Sequence, residues 1–323
     1  MITEFVLGLW LICAIYIVIT RKIYRAVICF GVFSLCGSLA YLFLGSPDVA
    51  MAEAAIAAFT TIFFIICVEK FYGYGTGLKE EQQPPKTRFI VRFWGVLLPF
   101  VFTAGLLGLF VYFIPSAEVS TYLRDLYLHR FWLDVGGENA VTAIYLGYRV
   151  YDTLFEALLL VLAVVAVAHM SWFDGTEAKS GEASAIKNSN TAKFTMRIIC
   201  PIIIMFGLYL IANGHISAGG GFQGGLAVAT FFICRYLVYD IYDIPVKKVM
   251  RIEELIFMNI AILPALAIFT GVTYVFEVFF VIPQTIYLTL MNVMIGFKVA
   301  CGFFILFYRY IAIENSVLDD KDD

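Results

Sequence analysis

Charge is scarce in this sequence. Only 15 % of its 323 residues are Asp, Glu, Lys or Arg, against about 25 % in a soluble domain. With a net charge of −3 there is no basic stripe to follow a phosphate backbone, which excludes a nucleic-acid binder. Histidine is scarcer: His129, His169 and His215 complete the set. They fall in an external loop, at the cytoplasmic end of one apolar run and at the outer end of another, so they cannot converge on a b-type haem. None of the seven cysteines stands in a CxxC pair, which argues against iron–sulfur and structural zinc sites and for reduced thiols acting as small apolar residues. The period-2 alternation of an outer-membrane barrel is missing too. A soluble enzyme, a disordered protein and a secreted disulfide scaffold are excluded by the same composition.

What is present is apolar: 62 % hydrophobic and 17 % aromatic residues, with a mean hydropathy of +0.89. A helix needs ~20 apolar residues to cross ~30 Å of hydrocarbon. Nine runs qualify, at 4–20, 26–46, 48–69, 93–114, 150–170, 196–214, 221–239, 254–275 and 286–309. The expected fold is therefore all-α, a polytopic membrane protein of about nine transmembrane helices. The first run reads as a span rather than a signal peptide, because it lacks a basic n-region and is followed by Arg21-Lys22 instead of a small-residue cleavage site.

Basic residues then orient the chain. Arg21, Lys22 and Arg25 follow the first run; Lys70, Lys79, Lys86, Arg88 and Arg92 follow the third. Lys179, Lys187, Lys193 and Arg197 follow the fifth, Arg235, Lys247, Lys248 and Arg251 the seventh, and Arg309 and Lys321 the ninth. Eighteen of 22 basic residues thus lie on one side, which predicts an external N-terminus and a cytoplasmic C-terminus. Polar stretches at 76–86 and 173–193 read as cytoplasmic linkers, dividing the chain into blocks of three (1–75), two (87–172) and four (194–315) spans. No inverted repeat relates them, which argues against a self-contained secondary transporter.

Ionisable groups at bilayer depth cost ~2.5–3.5 kcal/mol each and need an explanation. Asp48, just after Pro47, either caps the third span or handles ions. Glu53 lies deeper among alanines, as a proton carrier or as a side chain reaching back to the interface. Arg149, Asp152 and Glu156 are spaced to share a helix face. There Arg149 neutralises Asp152, and the two acids titrate as a coupled pair or form part of a surface salt bridge. Lys298, mid-span, must find a carboxylate or lose its proton, and it belongs either to an ion path or to a purely structural pair. The loop Gly214–Gly225 lacks the Lys-Ser/Thr ending of a phosphate cradle, so its glycines serve a tight turn and close packing. His215 within it is either a proton carrier or a hydrogen-bonded loop residue.

Three stretches carry a resemblance. Pro47–Ala58 resembles the PDVALTEAAVGAG-type signature of the Mrp antiporter's large A component, in its C-terminal region, which occurs as a separate small protein in membrane-bound hydrogenases. Asn139–Ile144, with Arg149, Asp152 and Thr153, is similar to the NAVTAILLDFRGFDTL-type motif that follows it. Gly214–Gly225 resembles the GHxxPGGGFQGG motif of the Mrp B component, with Ala218 in place of proline. In Mrp antiporters a fourteen-span unit precedes the first two blocks. None precedes Met1 here, so the organisation looks closer to the antiporter module of membrane-bound hydrogenases and related ferredoxin-driven complexes.

The resemblance implies a non-catalytic integral subunit of a Na⁺/H⁺ antiport module. No cofactor is implied in this chain, with Na⁺ and H⁺ as transported ions. The implied partners are a large antiporter-like subunit, C-, D-, E-, F- and G-like subunits of an Mrp complex, hydrogenase or ferredoxin-oxidising subunits, and the lipid bilayer of a prokaryotic plasma membrane. Glu53 is the implied ion-handling carboxylate and Asp152 a motif residue. A purely structural adaptor between antiporter and electron-transfer units is the rival expectation.

Overall fold

A computed structural model of the protein describes residues 2–20, 22–72, 97, 100–112, 121–170, 190–238, 246–269 and 284–319, and every element among them is helical. The first block holds α1 (Ile2–Ile19), α2 (Ile23–Phe43) and α3 (Pro47–Tyr72). Next come α4 (Phe100–Tyr112), α5 (Tyr122–Asp134), the short α6 (Ala140–Ala143), a π-helical turn (Ile144–Tyr148) and α7 (Val150–Met170). The last block is α8 (Asn190–Asn213), α9 (Gly221–Val238), α10 (Val246–Phe269) and α11 (Gln284–Asp319). Six described helices, α1, α2, α3, α7, α8 and α11, are long and apolar enough to cross a membrane.

Differences from the expected runs have local causes. α10 begins at Val246 rather than near residue 254, because Lys247, Lys248, Arg251 and Glu253 are strong helix formers with no Pro or Gly among them to stop the helix. The segment before α7 contains α5, where Arg124 pairs with Asp125 at 3.1 Å and holds its carboxyl below the usual range. α8 takes residues 190–193 from the expected linker. The rest of that linker, the linker at 76–86, the run 93–114 apart from 97 and 100–112, and 270–275 lie outside the described residues.

α11 is the axle. It packs against α7, α8, α9 and α10, while α3 reaches the last block through α9. Its membrane window is 61 % buried, against 6 % for α1, so the two helices occupy the centre and the margin. Phe59 of α3, Leu146 of the π turn, Leu226 and Ile233 of α9, Ile260 of α10, and Leu288 and Met291 of α11 form one apolar cluster. Lipid is as apolar as leucine, so helices in a membrane gain little by burying apolar surface against each other, and close backbone packing matters more.

Gly225 shows that packing. A Cβ there would stand 2.4 Å from the Gly296 carbonyl oxygen and 2.9 Å from the Val299 Cβ. Gly225→Val is expected to destabilise the purified protein by about 1–3 kcal/mol and to lower its Tm in detergent. Gly8→Val, where nothing lies within 4 Å, serves as the control. Equal melting of the two variants would contradict the close α9–α11 approach.

A polar junction and a buried lysine

Asn139 builds the first candidate site. As the N-cap of α6, its side-chain oxygen accepts from the N–H groups of Val141 (2.9 Å) and Thr142 (3.4 Å), a stabilising use of cap geometry. Its amide NH₂ then points outward and donates to Asp48 Oδ1 at 2.8 Å, the Ser217 carbonyl at 3.0 Å and the Gly214 carbonyl at 3.2 Å. The Gly219 N–H reaches the same Asp48 oxygen at 3.3 Å. Behind it, the N–H groups of Glu138 and Asn139 donate to the His215 carbonyl, and the Thr142 hydroxyl donates to that of Gly214 at 2.6 Å. The three sequence motifs, far apart in the chain, therefore meet at one buried point. Asp48 sits in the first turn of α3 and is an interhelical acceptor as well.

Asn292 of α11 is the fourth member, absent from the residues expected on sequence grounds; its one signal is an amide inside an apolar span. Its Oδ1 accepts from the Tyr145 hydroxyl (3.0 Å) and the Gly221 N–H (3.1 Å). Burial pushes the Tyr145 phenol up to about 12, so it remains a protonated donor throughout the physiological range. Gly220 needs its glycine: it holds φ +148, and a Cβ would fall 2.5 Å from the Tyr145 hydroxyl oxygen. The loop serves a turn and close packing. His215 Nδ1 lies 3.3 Å from the Thr289 hydroxyl. A π-helical turn leaves carbonyls off the ordinary ladder, and here the Thr153 hydroxyl takes that of Tyr145 at 2.6 Å.

The second site is centred on Lys298, fully buried in α11. Its Nζ lies 2.9 Å from Glu253 Oε1 on α10, where the carboxylate is buried as well. Phe257 places its ring 5.8 Å from the same nitrogen. Glu253 escapes a sequence reading because the apolar run begins one residue after it. Beside the pair lies a cavity of about 260 Å³ lined by Thr153 and Glu156 of α7, Phe222 of α9, and Lys298 and Phe303 of α11. Lys298 and Glu253 neutralise each other, so Glu156 is the surplus carboxylate of this cavity.

The other expected residues lie apart from it. Glu53 accepts a hydrogen bond from the Ser34 hydroxyl between α2 and α3. Arg149 and Asp152 form an exposed ion pair at 2.5 Å. Arg149 precedes α7 with non-helical φ −122 and ψ 36, so the face expected to carry Arg149, Asp152 and Glu156 together divides. Asp152 bonds to Arg149, and Glu156 lines the cavity.

Removing one partner of a buried pair leaves a stranded charge and costs about 3–5 kcal/mol. Lys298→Met and Glu253→Gln should each destabilise the protein by that order, and the double variant should recover most of the loss. A thermal double-mutant cycle in detergent checks this; additive losses would mean that the two side chains are not coupled.

Comparison with known proteins bears on the whole chain. The family described as "Domain related to MnhB subunit of Na+/H+ antiporter" matches residues 191–312, and the family of the MBH complex's D component (MbhD) matches residues 8–72. A probable K(+)/H(+) antiporter protein of Rhizobium meliloti, of the combined A/B type, is 26 % identical over 82 % of this chain, which spans 28 % of that relative's length. The "Putative antiporter subunit mnhB2" of Staphylococcus haemolyticus is 30 % identical, over 28 % of this chain and 67 % of its own. Among solved structures, the Mrp complex from Dietzia sp. DQ12-45-1b has a TM-score of 0.69 at 19 % identity, covering 95 % of this chain and 34 % of that one, a likeness of fold. A chain of the archaeal membrane-bound sulfane sulfur reductase, a respiratory membrane complex, has a TM-score of 0.54 at 25 % identity, covering 70 % of this chain and 98 % of that one. Motifs, helices and relatives agree that the chain belongs to the family of Mrp-type antiporter subunits, with an MbhD-related block and an MnhB-related block in one polypeptide.

Proposed function

We propose that the chain is a non-catalytic integral subunit of a cation/proton antiporter complex and contributes to its ion path. The observation that carries this reading is the fully buried Lys298–Glu253 pair beside a cavity that Glu156 also lines, in a chain of antiporter-subunit relatives. Charges at such depth are costly and mark ion routes more often than ordinary packing. Glu53, Asp48 and Glu156 are the carboxylates of the proposed path, Lys298 lines the same cavity as Glu156, and Arg149, Asp152 and His215 lie at its outer margin. Na⁺ and H⁺ are the ions, with no resident cofactor. The partners are the smaller C- to G-like subunits together with a large antiporter-like one, and hydrogenase or ferredoxin-oxidising subunits in a redox-driven complex, in a prokaryotic plasma membrane. Exposed apolar side chains along α4, such as Phe102, Leu106 and Phe110, suit burial against lipid or those partners.

The same reading has nine spans, the N-terminus outside, and three blocks at 1–75, 87–172 and 194–315 joined by cytoplasmic linkers. A second reading, a structural adaptor, is favoured by the Asp48–Asn139 junction, whose bonds tie the blocks together.

Two experiments separate these. In the assembled complex reconstituted in vesicles, Glu53→Gln and Glu156→Gln should each lower Na⁺/H⁺ exchange by about a hundredfold or more, the range of single acid–base residues. Unchanged exchange with intact assembly would leave the adaptor. For topology, a membrane-impermeant maleimide should label Ser116→Cys in intact cells and Ser180→Cys only after lysis; the reverse pattern would invert the orientation.

A further inference from the structure

A third feature is used by neither site. Where α8 begins and α9 ends, a groove of about 400 Å³ runs between the two helices. Arg197 and Arg235 stand along it, and its floor is apolar: Cys200, Pro201, Ile204 and Phe231. α8 and α9 form an antiparallel hairpin turned by the glycine loop at 214–220, so both arginines lie at the same end of the block. α10 starts at that end as well, after a connection of seven residues.

The sequence concentrates positive charge in these stretches. Lys193, Arg197, Arg235, Lys247, Lys248 and Arg251 outnumber Asp240, Asp243 and Glu254, while Glu253 is taken up by Lys298 inside the fold. Guanidinium groups match phosphate oxygens in planar, two-point fashion. Basic pockets between transmembrane helices at the cytoplasmic face hold anionic headgroups. The groove thus brings two guanidinium groups to the membrane boundary, with an apolar trough running inward along Cys200 and Ile204. A soluble phosphate has no use for the trough, whereas an acyl chain does.

We propose that this groove is a binding site for one anionic phospholipid. Its phosphate lies against Arg197 and Arg235, and one acyl chain lies along Pro201, Ile204 and Phe231. The site rests on the membrane setting and not on the ion-path reading, so either can fail without the other.

The test uses the purified complex containing this chain, delipidated in mild detergent and titrated with dioleoyl phosphatidylglycerol or dioleoyl phosphatidylcholine while native mass spectrometry counts bound lipid. Phosphatidylglycerol is expected to bind at one copy more tightly than phosphatidylcholine. Arg197→Gln or Arg235→Gln should weaken it about fivefold each and the pair about 25-fold, the change for about one headgroup–cation interaction per arginine. Ile204→Trp fills the trough with both arginines intact and should also weaken binding; the unchanged Tm of each variant checks folding. Equal binding of the two lipids overturns the proposal, as does a double variant that keeps its phosphatidylglycerol. Displacement of the lipid by millimolar inorganic phosphate would identify a free-phosphate site instead. Loss of a neighbouring protein from the double variant, in place of a lipid, would identify a protein interface.

Discussion

One amide holds three segments of the chain together. Asn139 can cap α6 with its oxygen only if its NH₂ turns away, and that NH₂ meets Asp48 of α3 and two carbonyls of the α8–α9 loop. A polar group buried in such a place costs free energy unless it finds a partner. The junction therefore fixes more than a local bond. It sets the height of α3 against the glycine loop, and the loop in turn sets how α9 meets α11. Gly221 shows the consequence: its N–H is bonded to Asn292, and a Cβ on it would strike the Asn292 carbonyl. Polar bonding and close backbone packing are two views of one constraint.

The ionisable groups obey the same constraint at higher stakes. Lys298 is buried to the last atom and is matched by one carboxylate, Glu253, on the neighbouring helix. A pair of this kind is poor evidence for stability, since desolvation offsets most of the attraction. Its presence in the most buried of the six candidate spans calls for another purpose, and the adjoining cavity with Glu156 gives the proposed path a physical basis. Arg149 and Asp152, by contrast, are exposed, where an ion pair contributes little.

Much of this was legible from residue order alone. Long uncharged runs locate the helices, and α7 fills 150–170 as its run does. Pro47 and Asp48 announce the start of α3, and the glycines of 219–221 announce a turn. Other features lie beyond local pattern. Glu253 sits at the edge of an apolar run, and only the tertiary fold brings it to a lysine 45 residues away. Asn292 reads as a tolerated polar residue until Tyr145, 147 residues earlier, is found on it. The π-helical turn has no signature in hydropathy. It goes with a hydroxyl, that of Thr153, which takes a carbonyl eight residues back.

The likeness of fold to a chain of an Mrp complex acquires physical sense from the Asp48–Asn139 junction. The junction needs residues from 48, 139 and 214–219 at once. No one of these three segments completes it: α3 alone would bury Asp48 without donors, and the glycine loop alone would leave two carbonyls without the Asn139 amide. Separate polypeptides could meet the same demand only by assembling. Fusion in one chain meets it at high effective concentration, so the polar contacts at the junction are satisfied within the polypeptide rather than between polypeptides. Among the described residues, α1 and α4 present exposed apolar side chains, on which association asks for shape and not for charge.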